Sequence, residues 1–139
     1  MSGLTKEGKL VKRSGAFPRV YLGGGLDSEW RVVFQERFGR GRGKLIGYDP
    51  FTRSRQGSIA EFTSDDLDGV AKSSLLIARV DYPRYTGLAL ETGYAKARGV
   101  PVLLIWTIGG RMEPMMAGCA SWIFTDTTEA FDFIEKRLI

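Results

Sequence analysis

Short apolar runs alternate along this chain with longer segments in which apolar residues recur at helical spacing. Apolar runs of about three to seven residues, bounded by Gly, Pro, Ser or Asp, are typical of β-strands. The sequence predicts strands at Val20–Leu22, Leu45–Tyr48, Ser74–Val80, Val102–Trp106 and Trp122–Phe124.

The segments between these runs carry the apolar spacing of amphipathic helices. In the first of them, Trp30, Phe34 and Phe38 recur on one helical face. Gly99, followed by Pro101, is a usual helix-ending pair. Helices are predicted at Ser28–Phe38, Ser58–Ser73, Thr86–Arg98, Met112–Gly118 and Thr127–Leu138, with a polar loop over residues 52–58.

Strands that alternate with helices at this spacing indicate an α/β fold. We expect a doubly wound, flavodoxin-like or Rossmann-like three-layer sandwich with a five-stranded parallel sheet, formed by residues 17–139 as a single domain. Residues 1–16 are polar and basic and are expected to form a flexible tail. Ligands of such folds bind beyond the carboxyl ends of the strands. The candidate segments there are Gly23–Asp27, Asp49–Arg55, Asp81–Glu91 and Thr107–Met116.

The residue types present restrict the chemistry. The 139-residue chain has no histidine and one cysteine, Cys119. Catalytic triads that need histidine, internal disulfides and cysteine-rich metal sites are therefore excluded. Acid, base or nucleophilic work falls to carboxylates, Tyr, Lys or Cys119, and no metal or organic cofactor is expected.

Charge and hydropathy narrow the cellular setting and the partners. No apolar run reaches the ~20 residues that cross a bilayer, and the basic N-terminus lacks the apolar core of a secretory signal. We expect a cytoplasmic protein without membrane contact. The net charge of +4 lies mostly in the tail and in Arg37–Arg55. These cations are not interleaved with aromatic residues along one element, so no nucleic-acid polymer is expected as a partner.

Two features of the predicted loops and helices could carry chemistry. Gly23, Gly24 and Gly25 follow the first strand, where glycines let backbone N–H groups approach a ligand, although a simple tight turn gives the same pattern. Glu91 lies near the start of a predicted helix among small and apolar residues. The helix N-terminus would keep this carboxylate ionised, which suits a nucleophile; an ordinary surface glutamate is the alternative.

The run Thr86-Gly87-Leu88-Ala89-Leu90-Glu91-Thr92-Gly93-Tyr94-Ala95 resembles the nucleophile motif of the nucleoside 2-deoxyribosyltransferase family, commonly Gly-Thr-x-x-Glu-x-Gly-Tyr-Ala. Tyr21–Gly25 resembles the family's opening strand and glycine loop. Asp65–Val70 resembles the helix that carries its substrate-orienting aspartate, which falls on Asp66. Glu113–Gly118 is similar, more weakly, to the segment that members lend to a neighbouring subunit.

The resemblance implies that Glu91 attacks the anomeric carbon of a sugar and forms a glycosyl-enzyme intermediate, as in retaining glycosidases. Asp66 would hold the sugar or orient Glu91, and Tyr21 and the glycine loop would line the pocket together with Asp49 and Gly87. Transfer of 2-deoxyribose to another base is the outcome typical of the family. Hydrolysis of a nucleoside 5′-monophosphate is the alternative, and a non-catalytic nucleotide-binding module is a third hypothesis. The implied partners are a small nucleoside or nucleotide and further copies of the chain, in a homodimer or larger homo-oligomer.

Several positions depart from the family pattern or stay open. The aspartate that often precedes the nucleophile by six positions is Tyr85 here, and Asp81 lies further upstream, so either could assist the leaving base. Arg53, with Arg55 and Ser28, would suit a phosphate, or could lie in a solvated loop. Met115 and Met116 fit a pocket lid, a subunit contact or core packing.

Overall fold

The structure, a computed structural model, describes residues 3–13, 15–25, 27–39 and 41–139, and its centre is a five-stranded, all-parallel sheet. The strands follow the order β2-β1-β3-β4-β5, which is a flavodoxin-like arrangement. The predicted doubly wound α/β fold is confirmed. The strand bounds are β1 Arg19–Gly24, β2 Ile46–Tyr48, β3 Leu75–Val80, β4 Val102–Trp106 and β5 Trp122–Phe124.

The helices lie close to the predicted segments. A short additional helix occupies part of the segment predicted as a loop, because Asp49 caps it and Pro50 supplies its first residue. The last helix continues as a π-helical turn over Ile134–Leu138. The helix bounds are α1 Glu29–Phe38, α2 Pro50–Arg53, α3 Ile59–Ala71, α4 Thr86–Ala97, α5 Pro114–Cys119 and α6 Thr127–Phe133.

The two faces of the sheet carry separate cores. Strand side chains alternate between faces, so Leu22 of β1 packs with Phe34 of α1 and Phe131 of α6, all buried. Its neighbour Tyr21 points to the opposite face, among the residues covered by α3, α4 and α5. Val102–Trp106 is buried throughout, as expected for an inner strand of a parallel sheet.

A topological switch point lies between β1 and β3. The chain leaves β1 towards β2 on one side and leaves β3 towards β4 on the other. Tyr21 pairs with Tyr48 of β2 and with Leu76 of β3, so β2 ends beside the middle of β1. A crevice forms beyond the carboxyl ends of strands at such a point, which is where the polar side chains of the candidate site converge.

The N-terminal segment differs from the expected flexible tail. Leu10 is 5% exposed and belongs to the core beside Leu138, whose carbonyl accepts a hydrogen bond from the Leu10 amide. The Ser74 hydroxyl donates to the Val11 carbonyl, and the Gly3 amide donates to the Gly99 carbonyl. The expectation of a tail overlooked Leu4 and Leu10, which lie among polar and basic residues and pack on the core. With the hydrogen bonds above, they attach residues 3–11 to the domain. Met1, Ser2 and Ser14 of this segment lie outside the described residues.

No helix within the described ranges is long and apolar enough to span a membrane.

Candidate active site

The central feature of the site is a hydrogen bond between a fully buried tyrosine and a partly buried glutamate. The Tyr21 hydroxyl donates to Oε2 of Glu91. Tyr21 lies on β1 and Glu91 on α4, which packs on the same sheet face that Tyr21 points to. The pair links the glycine-rich end of β1 to the helix that carries the candidate nucleophile.

The electrostatics of Glu91 differ from the expectation that the helix N-terminus keeps it ionised. Glu91 is the sixth residue of α4, beyond the first turn in which the helix dipole acts. Burial raises the pKa of Glu91 to about 7, and the negative charge of Asp66 adds to this. The hydrogen bond from Tyr21 and the charge of Arg31 act in the opposite direction. The carboxyl group therefore changes charge near neutrality, in the range that suits a nucleophile or a base.

Aromatic packing holds the Tyr21 ring in place. It stacks on Tyr48 with 5.4 Å between ring centroids and 17° between ring planes. Gly69 of α3 allows this, because a Cβ there would lie 2.8 Å from Cε1 of Tyr48 and 3.2 Å from Cε2 of Tyr21. The Tyr48 hydroxyl in turn bonds Oγ of Ser54 at 2.8 Å. Burial and the neighbouring Glu91 carboxylate raise the pKa of the Tyr21 hydroxyl, so Tyr21 stays a proton donor in this bond.

Asp66 of α3 is the second carboxylate of the site. Its Oδ1 atom is buried and has no hydrogen-bond partner among the described residues. Burial raises the pKa of Asp66, while a hydrogen bond with Ser54 opposes the rise. An unpaired buried carboxylate oxygen is costly, and a ligand hydroxyl would satisfy it.

Asp66 and Glu91 line one cavity with a volume of about 340 Å³. Its described wall is largely apolar and contains no lysine or arginine. The lining residues are Gly24, Pro50, Phe51, Gln56, Phe62, Thr63, Asp66, Leu67, Gly87, Leu88, Leu90 and Glu91. We name this cavity the Glu91 cavity.

A second cavity of about 290 Å³ adjoins it and shares Gly24, Phe51, Gly87 and Leu88 with it. Asp81 and Tyr85, the two candidates for assisting the leaving base, both line this second cavity, which we name the Tyr85 cavity. The remaining described residues in its wall are Gly25, Arg79, Val80, Tyr82 and Arg84.

Asp81 and Tyr85 differ in how they are held. Oδ2 of Asp81 lies 2.7 Å from Nη1 of Arg79, and both side chains are at most 15% exposed. The Tyr85 ring packs edge-on against Trp106, with 5.5 Å between ring centroids. One carboxylate oxygen of Asp81 is thus already engaged, whereas no bond to the Tyr85 hydroxyl is found among the described residues.

Comparison with known proteins yields no matching family model and no matching curated protein. Solved structures do match. A 2-deoxyribosyltransferase from Leishmania mexicana has a TM-score of 0.63 at 18% identity, with 87% of this chain and 99% of that chain covered. One from Bacillus psychrosaccharolyticus has a TM-score of 0.62 at 18% identity, with coverages of 80% and 88%.

This chain has the fold of the nucleoside 2-deoxyribosyltransferases. A conserved protein from Enterococcus faecalis V583 shares that fold too, with a TM-score of 0.73 at 20% identity, 88% of this chain and 100% of that chain being covered. The resemblance inferred from the ordered sequence blocks is confirmed at the level of the fold.

Within this deoxyribosyltransferase fold, the glycine run acts through close packing. None of Gly23, Gly24 and Gly25 has a positive φ, so no left-handed turn requires them. A Cβ on Gly23 would lie 2.8 Å from Cδ1 of Leu88, and one on Gly25 would lie 2.5 Å from Oδ1 of Asp81. Gly24 lines both cavities and Gly25 the Tyr85 cavity, whereas Gly23 is buried beneath α4.

The predicted phosphate-binding residues and Asp49, a predicted substrate-binding residue, lie elsewhere. Arg53, Asp49 and Ser28 line a different cavity of about 810 Å³ beside α1 and β2, and none of them lines the Glu91 cavity. The Asp49 side chain instead caps α2 and lies 3.7 Å from Arg31. Arg55 is exposed and paired with Asp65 at 2.9 Å. Asp49 and Arg53 therefore lie outside the cavity that Asp66 and Glu91 line, and their predicted role in substrate binding stays a prediction.

The two methionines predicted to line the pocket occupy contrasting environments. Met115 is 78% exposed, and Met116 is 2% exposed in the core beneath α4 and α5. Neither lines the Glu91 cavity. Core packing, one of the three expectations, applies to Met116.

Sequence reasoning missed Phe51, which lines both cavities, and it also missed Arg31. Arg31 lies in α1, is 2% exposed and donates hydrogen bonds to the carbonyls of Leu22, Gly25 and Asp27. An arginine within the apolar stretch Trp30–Phe34 was the available signal, since buried arginine occurs almost only where it is paired.

Proposed function

We propose that this chain cleaves the N-glycosidic bond of a (deoxy)nucleoside and transfers the 2-deoxyribosyl group to another base, with Glu91 as the nucleophile. The observation that carries the proposal is the Glu91 carboxyl group, hydrogen-bonded by Tyr21 and lining the same cavity as Asp66, whose Oδ1 has no hydrogen-bond partner among the described residues. The deoxyribosyltransferase fold of the chain supports it.

In the first step, ionised Glu91 attacks the anomeric carbon. Tyr21 bonds Oε2, which leaves Oε1 free to attack. The bond between the sugar and the base breaks as the ester to Glu91 forms, and the leaving base takes the electron pair and gains a proton. In the second step a nitrogen of the acceptor base attacks the same carbon and gives up its proton, which replaces the one taken by the leaving base, and Glu91 leaves as a carboxylate.

Asp66 orients the sugar in this scheme. Its unpartnered Oδ1 accepts a hydrogen bond from a sugar hydroxyl, which relieves the cost of burying that oxygen. Burial raises the pKa of Asp66, and a sugar hydroxyl that donates to Oδ1 would favour the ionised form.

The leaving base occupies the Tyr85 cavity. Because Arg79 already engages Asp81, we assign assistance of the leaving base to the Tyr85 hydroxyl. Phe51, which lines both cavities and is 46% exposed, offers a ring face for the base.

The Glu91 cavity favours an uncharged nucleoside over a nucleoside monophosphate. No cation stands in its described wall, and Arg53 and Arg55 lie outside it. Transfer is therefore preferred over hydrolysis of a 5′-monophosphate. We further propose a homo-oligomer in which the exposed Met115 contacts a neighbouring subunit.

The test is chromatography of purified protein incubated with mixed deoxynucleosides or their monophosphates, with and without an acceptor base. Glu91→Gln is the test variant, and Glu129→Gln, which alters an exposed glutamate on α6, is the matched control. A new nucleoside that forms only with acceptor, and only when Glu91 is present, supports the transferase. Free base released from a monophosphate alone would establish hydrolysis instead. Ligand binding without any product would leave a nucleotide-binding module.

A further inference from the structure

Arg31 lies at the point where the sheet leaves one side of β1 uncovered. The pairing of β1 with β2 ends at Tyr21 and Tyr48, so the following residues of β1 have a strand only on the β3 side. Backbone carbonyls that are buried without a partner are costly. The end of β1 therefore needs hydrogen-bond donors from outside the sheet.

The Arg31 guanidinium supplies those donors. Its Nε and Nη2 donate to the Leu22 carbonyl at 3.1 and 3.0 Å. Its Nη1 donates to the carbonyls of Gly25 and Asp27 at 3.1 and 3.3 Å. These three carbonyls lie before, within and after the Gly24–Gly25 segment that lines the two cavities.

The same guanidinium stacks between two aromatic rings. It lies 4.8 Å from the ring centroid of Trp30 and 4.9 Å from that of Phe51. Phe51 forms part of the wall of both cavities. Arg31 thus supports two neighbouring parts of that wall, the glycine run and the Phe51 ring, from behind.

We infer that Arg31 is a positioning residue of this site: its guanidinium holds the glycine run and Phe51 in the shape that lines both cavities, and its positive charge stabilises ionised Glu91. The steady-state consequences rest on the proposed function, whereas the effect on Glu91 ionisation does not.

The charged and titratable groups that act on Arg31 and Glu91 come from several of the elements packed around them. Asp49 at the end of β2, Asp81 at the end of β3 and the Tyr21 hydroxyl act on Arg31 together with Glu91. For Glu91, the hydrogen bond from Tyr21 and the charge of Arg31 lower the pKa, and the charge of Asp66 raises it. Burial lowers the pKa of Arg31, and the neighbouring carboxylates act in the opposite direction.

The experiment compares Arg31→Met and Arg31→Lys with Arg37→Met. Arg37 lies on the same helix but pairs with Asp132 and Glu135 at the surface, which makes its variant a matched control. Two readouts are measured: the Glu91 carboxyl titration by ¹³C NMR, and kcat and KM for nucleoside transfer across pH.

Arg31→Met is expected to raise the pKa of Glu91, because an attractive charge is lost. KM should also rise, because the glycine run loses its donors. Arg31→Lys should leave the Glu91 titration close to that of the parent but still raise KM, since one ammonium cannot replace the planar guanidinium fork. If Arg31→Met does not fold, Arg31→Lys alone decides: a raised KM with an unchanged Glu91 titration supports the inference, and an unchanged KM contradicts it.

The inference is overturned if the Arg31 variants match Arg37→Met in both readouts. If the Glu91 titration moves but the parent forms no product, the proposed function fails while the electrostatic part of the inference stands. If product forms with the titration and KM both unmoved, the proposed function stands and the role of Arg31 fails.

Discussion

The Tyr21 hydroxyl donates a hydrogen bond to the Glu91 carboxylate across the interface between β1 and α4. This bond brings together residues that are 70 positions apart in the chain. It favours the ionised form of a carboxyl group whose burial favours the protonated form. The balance of these two effects sets the pH at which Glu91 becomes ionised.

The pH dependence of transfer should show a rising acid limb. Glu91 attacks only when ionised, and its pKa is about 7. We expect kcat/KM to increase tenfold per pH unit well below pH 7 and to level off above it. Initial rates between pH 5 and 9 measure this. A profile that is already flat at pH 5 would contradict the role of a buried Glu91.

Replacement of Tyr21 by Phe should lower kcat/KM by roughly 10- to 100-fold, the size expected for a hydrogen bond to a charged group. The acid limb of the profile should shift to higher pH, because the hydrogen bond from Tyr21 lowers the pKa of Glu91 and the variant lacks it. Tyr94→Phe, on the same helix as Glu91 but outside both cavities, is the control. Equal profiles for the two variants would show that the bond does not serve the reaction.

Glu91→Gln should stabilise the protein at alkaline pH but not at acidic pH. The folded-state pKa of Glu91 lies above its ordinary value of 4.5, so its ionisation reduces stability as the pH rises from 4.5 through about 7. We expect a gain in the free energy of unfolding of about 3 kcal/mol at pH 8 and almost none at pH 4.5. Urea titrations at the two pH values measure it, and a pH-independent difference would rule the explanation out.

Two glycine-to-alanine variants should have opposite effects. At Gly69 a Cβ would meet the Tyr48 and Tyr21 rings at 2.8 and 3.2 Å, so alanine should cost about 1–3 kcal/mol and disturb the Tyr21 position. At Gly93, on the exposed side of α4, no atom lies within 4 Å of a Cβ. Alanine there should stabilise by about 0.5–1 kcal/mol through helix propensity. Thermal unfolding of both variants measures the contrast.

Leu10→Ala should destabilise the domain by about 2–4 kcal/mol, because it removes a buried side chain from the core beside Leu138. Lys12→Ala, which changes an exposed residue of the same segment, should change stability little. If residues 3–13 were a loose tail, both variants would unfold like the parent.

The fold follows from the sequence because its signals are local. Val102–Trp106 was predicted with its bounds unchanged, since a continuous apolar run fits an inner parallel strand. The loop predicted over residues 52–58 overlaps the second half of α2, which was missed because four residues carry too little periodicity to identify a helix. The contacts of the N-terminal segment were not predicted, because they are not local. Leu10 is an isolated apolar residue among polar ones, and its burial depends on partners more than a hundred positions away.

The candidate site was only partly accessible from the sequence. Glu91 and Asp66 could be singled out from local motifs, and the structure brings them to one cavity. The pairing of Tyr21 with Glu91 depends on which face of the sheet α4 covers, which no local pattern specifies. The displacement of Arg53 from that cavity and the burial of Arg31 likewise depend on tertiary packing around α2.

The strand order also determines which part of the molecule opens first. β1 and β3 lie inside the sheet, whereas β2 and β5 are edge strands of three residues each. Amide protons of inner strands exchange with solvent only through large-scale opening, while short edges open locally. The backbone that carries Tyr21 therefore belongs to the slowest-exchanging part of the protein, and the edge that carries Tyr48 can loosen without dismantling it.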